Sequence, residues 1–131
     1  ATFTTALENA ARQTLAGIGA ELEWTVSGRP RALSPDVENV LLRVCQEALT
    51  NTAKHASAHR VSVALFYERR VVRLTVRDDG CGFRVDPSYR SYAGHWGLLG
   101  MRERVEQVHG TLRVMSEDGQ GTEVWLAVPY R

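Results

Sequence analysis

EALTNTAKHA, residues 47–56, is the stretch that decides the fold. Glu47, Asn51 and His55 sit four apart, with Lys54 between the last two. On a helix of about 3.6 residues per turn, the four side chains project within roughly 100° of one another. Upstream, Val37, Val40, Leu41, Val44, Ala48 and Leu49 trace an apolar stripe at helical spacing, suited to packing on a sheet. Asn51 falls on the wheel between Val40 and Val44, and His55 falls in line with Val37. Glu47 and Lys54 lie at the edge of the stripe, while the solvent side runs through Asn39, Arg43, Gln46 and Thr50. One side of the helix therefore turns from apolar to polar halfway along. A buried polar group without a partner costs about 1–3 kcal/mol. Asn51 and Glu47 must find theirs either in neighbouring backbone or in a polar-walled pocket beneath the second half of the helix.

The pattern on either side of this helix is that of an α+β chain. Residues 4–16 read as a helix broken by Gly17 and Gly19. Leu22, Trp24 and Val26 alternate with polar neighbours as a strand does. Ser34 before Pro35, with Asp36 and Glu38 in the first turn, starts a helix expected to run to about His55. Val61, Val63 and Leu65, then Val72, Leu74 and Val76, predict an antiparallel hairpin across YERR. Residues 84–96 read as a loop. Leu98, Met101, Val105 and Val108 have helical spacing, with Gly110 as the expected C-terminal cap. Leu112 and Val114, then Val124, Leu126 and Val128, give two last strands joined across EDGQG. About three helices and five strands, without regular βαβ alternation, predict an α+β fold, a two-layer α/β sandwich.

Bulk properties narrow the function classes. The 131 residues suit one domain, 1–131, with a real core. Hydrophobic residues make up 44% and charged ones 24%, a globular balance. A net charge of +1 supplies no basic field for nucleic acid. No apolar run approaches the ~18 residues of a membrane span, and no signal-peptide pattern opens the chain. Two cysteines, Cys45 and Cys81, make neither a metal-type spacing nor a disulfide framework, so the cytoplasm is the expected compartment. The chain opens inside a helix-like pattern and is expected to be a segment of something longer.

Two glycine clusters punctuate the fold. DDGCGF, residues 78–83, follows a strand directly. Such a stretch serves either as a turn or as a place where backbone approaches a ligand closely. GLLGM, residues 97–101, opens a helix, whose free N–H groups favour anions such as phosphate. Neither cluster satisfies the P-loop or the G-x-G-x-x-G fingerprint.

In order, the chain thus carries E-x-x-x-N-x-x-K-H on a helix, D-x-G-x-G after a strand, G-L-x-G-M opening a helix, and Gly121–Thr122 entering the last strand. From about Ser34 to Pro129 this resembles the ATP-binding catalytic domain of bacterial sensor histidine kinases. GLLGMRERV resembles most the subgroup paired with LuxR/NarL-type response regulators. The resemblance implies the Bergerat fold, about three helices on a mixed, mostly antiparallel five-stranded sheet, shared with the gyrase B subunit, heat-shock chaperones of the ninety-kilodalton class and mismatch-repair ATPases.

The resemblance also implies residue roles. Asp78 corresponds to the acid that accepts a hydrogen bond from the adenine amino group; an acceptor-only carboxylate favours adenine over guanine at that edge. Gly80 and Gly82 let the chain pass close to the base, and Thr122 supports the same network. Asn51 corresponds to the Mg²⁺ ligand, an amide oxygen suited to that hard ion. Lys54 reaches phosphate as a point charge that serves catalysis by neutralisation, and His55 contacts phosphate or the lid. Gly97, Leu98, Gly100 and Met101 frame the triphosphate. Glu47 corresponds to a catalytic acid that polarises the acceptor imidazole or orients or deprotonates water; the alternative is that it positions Lys54 or water near Mg²⁺. ATP and Mg²⁺ are thus the implied cofactors.

Asp79 stands where many histidine kinases have Asn, and the lid from Phe83 to Trp96 is short. His55, His59, His95 and His109 all fall inside the ATP-binding unit, so no acceptor histidine is present. The implied partners are a dimerisation/phosphoacceptor domain and a LuxR/NarL-type regulator, in a homodimeric full-length kinase with this segment monomeric. A serine protein kinase of the anti-sigma-factor type and a non-catalytic nucleotide-sensing module are the alternatives on the same fold.

Overall fold

The computed structural model describes residues 2–89 and 97–130, the side chains of His55 and Ala56 apart. Its elements follow in the order α1 (Phe3–Leu15), β1 (Glu21–Gly28), α2 (Pro35–Asn51), β2 (Arg60–Tyr67), β3 (Val71–Asp78), α3 (Leu98–Gln107), β4 (Thr111–Ser116) and β5 (Thr122–Pro129). This is the α+β arrangement that periodicity predicts.

The helix starts are set locally. The Ser34 hydroxyl accepts from the Val37 N–H at 3.2 Å, Pro35 occupies a position that needs no N–H, and Asp36 and Glu38 face the positive end of α2. Thr2 caps α1 in the same way, accepting from the Thr5 N–H at 3.2 Å.

Two helix ends depart from the sequence-based expectation. After Asn51 the chain widens into one π turn, Thr52–Ala56, and leaves through Ser57 at φ 51°. A π turn closes i→i+5 rather than i→i+4 bonds, so the regular α-helix ends at Asn51, short of the His55 that the sequence suggests as its end. At the end of α3 the left-handed residue is His109 (φ 63°), not Gly110. Gly110 instead permits close packing, because a Cβ there would come within 2.8 Å of the Ala127 carbonyl and of Val105.

The strands form one sheet in the order β1-β2-β3-β5-β4, with β1 parallel to β2 and the other pairs antiparallel. Val61, Val63 and Leu65 of β2, Val72, Leu74 and Val76 of β3, and Val124, Leu126 and Val128 of β5 are buried. They share one core with Leu7 of α1, Leu41, Val44 and Leu49 of α2, and Met101 and Val105 of α3. The alternation places every second residue of each strand toward the helices.

Register then fixes the place of the site. Val61, Asp78, Thr122 and Ser116 pair in succession across β2, β3, β5 and β4, one transverse row at the end of the sheet. Asp78 continues the inward row of Val72, Leu74 and Val76. A carboxylate therefore occupies a position that packing would give to an aliphatic side chain.

Candidate functional site

Asp78 is only 7% exposed, and both of its oxygens are held. Oδ1 accepts from the Gly80 N–H at 2.8 Å, and Oδ2 accepts from the Thr52 hydroxyl at 3.0 Å. Thr52 is itself buried, its Oγ1 also lying 3.1 Å from the Ala48 carbonyl. A hydroxyl has one hydrogen, and the charged carboxylate is the stronger acceptor. A carboxylate offers about four lone-pair sites, so Asp78 keeps acceptor capacity for a third donor.

That capacity faces a cleft with about 330 Å³ of unfilled space, counted out to solvent. Ala48, Asn51 and Thr52 wall it from the helix layer, Asp78, Gly82 and Phe83 from the end of β3 onward, Leu98 from α3, and Thr122 and Val124 from β5. Apolar walls with an acceptor-only acid at one end suit a planar heteroaromatic ring that carries an N–H donor.

A second groove lies between the outer side of α2 and the start of α3, lined by Arg43, Gln46, Glu47, Thr50, Gly97, Gly100, Met101 and Arg104. Gly97 caps α3 in the left-handed conformation (φ 63°), and a Cβ there would sit 2.5 Å from Glu47 Oε1. Glu47 thus stands over the N-terminus of α3. Gly100, one turn in, has nothing within 4 Å of where its Cβ would be.

The sequence motifs therefore converge, though not on one wall. Asn51, Asp78, Gly82, Leu98 and Thr122 surround the cleft, and Gly80 braces the acid. Glu47, Gly97, Gly100 and Met101 belong to the adjoining groove. Lys54 is exposed on the π turn and lines neither. The His55 side chain, and the lid residues 90–96 with His95 and Trp96, lie outside the described residues.

Sequence reasoning missed Thr52, Phe83, Val124 and Ser116. Phe83 and Val124 line the cleft but read as ordinary apolar positions. Ser116 Oγ accepts from the Phe83 N–H at 2.9 Å and lies 2.8 Å from Thr122 Oγ1.

The glycines have specific neighbours. Gly82 sits at φ 64°, and a Cβ on it would land on the Glu117 carbonyl. Gly121, at φ 78°, is closed in by the Asp78 carbonyl in the same way. The close approach is thus between the two chain segments that bracket the acid.

Asp79, beside the acid, faces elsewhere. Its Oδ1 accepts from the Arg60 N–H at 2.9 Å and the His59 N–H at 2.8 Å. Those bonds, that to Arg60 first, hold its carboxyl below the usual range. It clamps the start of β2.

Among the described residues no three His, Cys, Asp or Glu side chains gather as a metal-binding group. The oxygen donors that line the cleft are the Asn51 amide, the Asp78 carboxylate and the Thr52 and Thr122 hydroxyls. That donor set fits magnesium, which keeps several waters and binds few protein groups.

Residues 36–131 match the family model of histidine kinase-, DNA gyrase B- and HSP90-like ATPases. The chain belongs to this ATPase family. Among members of the family, it is 37% identical over 109 residues to the sensor histidine kinase LiaS of Bacillus subtilis (strain 168), covering 83% of this chain and 29% of LiaS. It is 35% identical over 97 residues to the histidine-protein kinase/phosphatase DegS of the same organism, covering 74% of this chain and 25% of DegS. It is 37% identical over 115 residues to UhpB of Salmonella typhimurium, covering 88% of this chain and 21% of UhpB. The chain thus spans less than a third of these relatives. The histidine kinase domain of the blue-light activated histidine kinase of Erythrobacter litoralis EL346 shares the fold, with TM-score 0.72 at 23% identity over 98% of this chain and 61% of that one. The family match carries the α+β architecture that the sequence predicts and implies ATP as a ligand. Among the described residues no helix is long and apolar enough to cross a membrane.

Proposed function

We propose that this domain binds Mg·ATP and hands the γ-phosphate to a histidine on a dimerisation/phosphoacceptor domain, in a cytoplasmic two-component phosphorelay. The observation that carries the reading is the buried Asp78 carboxylate, braced by Gly80 and Thr52 at the end of an apolar cleft. Adenine offers that carboxylate an amino donor, and the cleft walls offer its ring faces apolar contact. The names of the relatives, all histidine kinases, favour histidine as the acceptor, and GLLGMRERV, residues 97–105, favours a LuxR/NarL-type regulator as the next partner.

Asn51 would hold the magnesium, whose charge neutralises the phosphates when bound. Lys54 supplies a point charge to phosphate, and His55, next in sequence, is the second residue assigned to phosphate or the lid. Glu47, over Gly97 at the start of α3, orients the acceptor imidazole or a proton-carrying water. Gly97 and Gly100 leave backbone N–H groups open to phosphate oxygens. Catalysis is then positioning and charge neutralisation rather than covalent chemistry by the protein.

Calorimetry tests the binding step. Mg·ATP should release or absorb heat on titration into the native chain, and Asn51→Ala should abolish the magnesium-dependent part while the circular dichroism spectrum is kept. Unaltered affinity refutes the metal role. Labelled ATP, this chain and a separately made acceptor domain should yield phosphohistidine, and Glu47→Gln should lower that yield without changing ATP affinity. No phosphohistidine under any condition favours a non-catalytic nucleotide module.

A further inference from the structure

We infer that Ser116 is a positioning residue that fixes the hydrogen-bond polarity of the base pocket, by consuming the hydroxyl hydrogen of Thr122. The inference deepens the nucleotide reading and rests on it. Ser116 does not line the cleft; Thr122 does.

The assignment follows from counting hydrogens. The Phe83 N–H donates to Ser116 Oγ at 2.9 Å. The Gly121 carbonyl, on a buried residue, lies 3.0 Å from Ser116 Oγ and can only accept. A buried carbonyl takes a donor when one is in reach, so the single Ser116 hydrogen goes to Gly121. Ser116 is left with one lone pair for Thr122 Oγ1 at 2.8 Å, and the hydrogen in that contact belongs to Thr122. Thr122 then presents only lone pairs to the cleft. Asp78, its cross-strand partner, also presents only lone pairs. Thr52 has spent its hydrogen on Asp78. All three side chains thus accept at the cleft, and a base edge that meets them must donate. A 6-amino purine does so; a 6-oxo purine sets a carbonyl against acceptors.

Ser116→Ala removes the acceptor and frees the Thr122 hydroxyl to turn inward as a donor. The test is calorimetric titration of the native chain and variants with ATP and with inosine triphosphate, which carries a 6-carbonyl. The native chain should prefer ATP. Ser116→Ala should narrow that preference about tenfold, chiefly by tighter inosine triphosphate binding, a change on the scale of one hydrogen bond. Adding Thr122→Val should cancel the gain, because no hydroxyl is left to donate. Ser116→Thr should keep the native ratio. If Ser116→Ala does not fold, Ser116→Cys, with its weakly accepting sulfur, should narrow the ratio in the same direction. An unmoved ratio, or a narrowing that survives Thr122→Val, overturns the inference while ATP binding stands. No binding of either nucleotide by the native chain overturns the nucleotide reading and this inference together.

Discussion

Thr52 Oγ1 lies 3.0 Å from Asp78 Oδ2, joining the first residue of the π turn to the last residue of β3. Both groups are buried, and the bond is charge-assisted. Thr52→Val keeps the shape and removes the hydroxyl. The loss of a hydrogen bond to a charged group should cost about 1.5–3 kcal/mol in stability, a fall of several degrees in melting temperature. ATP affinity should fall as well, because the Asp78 rotamer loses one of its two braces. Thermal melts and calorimetry on the same samples check both; an unchanged melt shows that the contact holds nothing.

Asp79 gives a pH signature. Its folded-state carboxyl is held low, first by the Arg60 N–H and then by the His59 N–H, against an ordinary value of 3.8. A depressed folded value stabilises the fold above the unfolded value, and that stabilisation disappears as pH falls through the folded one. Asp79→Asn keeps an acceptor oxygen but removes the charge. It should melt below the native chain at neutral pH. The gap should close as the pH drops below 3.8 toward the folded value. Paired melts over a pH series check this; a gap independent of pH would mean that the carboxylate charge plays no part.

What could be read from the chain divides by the range of the interaction. Periodicity and punctuation are local, so the strands and the starts of α2 and α3 are legible from Ser34–Pro35, the alternation in Val61–Leu65 and the Gly97 stop. Asp78 is legible because a carboxylate followed by spaced glycines stands out beside a strand of valines and leucine. Thr52 is not: inside NTAK it passes for a helix filler, and its role needs β3 to arrive from 26 residues away. Ser116 is hidden for the same reason, 33 residues from Phe83. The π turn has no proline or glycine to mark it, so simple helical counting runs the α-helix on to about His55. The parallel pairing of β1 with β2 is equally silent, since alternation shows a strand but not its neighbour.

The two cysteines should differ sharply in reactivity. Cys45 is fully buried in α2, and burial pushes its thiol up to about 12. It therefore stays protonated at neutral pH, and the thiol is not the nucleophile. Cys81 is exposed in the glycine turn. A disulfide reagent at pH 8 should titrate one thiol in the native protein and both in denaturant. Peptide mapping should find the native label on Cys81. Rapid native labelling of Cys45 would show that α2 opens locally.

Gly100 and Gly121 separate folding from function most cleanly. Gly121 sits at φ 78° against the Asp78 carbonyl, so Gly121→Ala meets both backbone strain and a clash. It should destabilise the chain by at least about 1–3 kcal/mol, the scale of one forced backbone conformation, with a clear loss in melting temperature. Gly100 lies within α3 with open space where a Cβ would go. Replacing a helical glycine by alanine is worth up to about 1 kcal/mol. Gly100→Ala should therefore raise the melting temperature of the free protein. If the open backbone beside Glu47 receives phosphate oxygens, the same methyl should weaken Mg·ATP binding several-fold while adenosine, which has no phosphates, binds as before. Gain in stability with loss of triphosphate affinity is the expected pair. Equal affinity for Mg·ATP in the native and Gly100→Ala proteins would remove the second groove from the phosphate site.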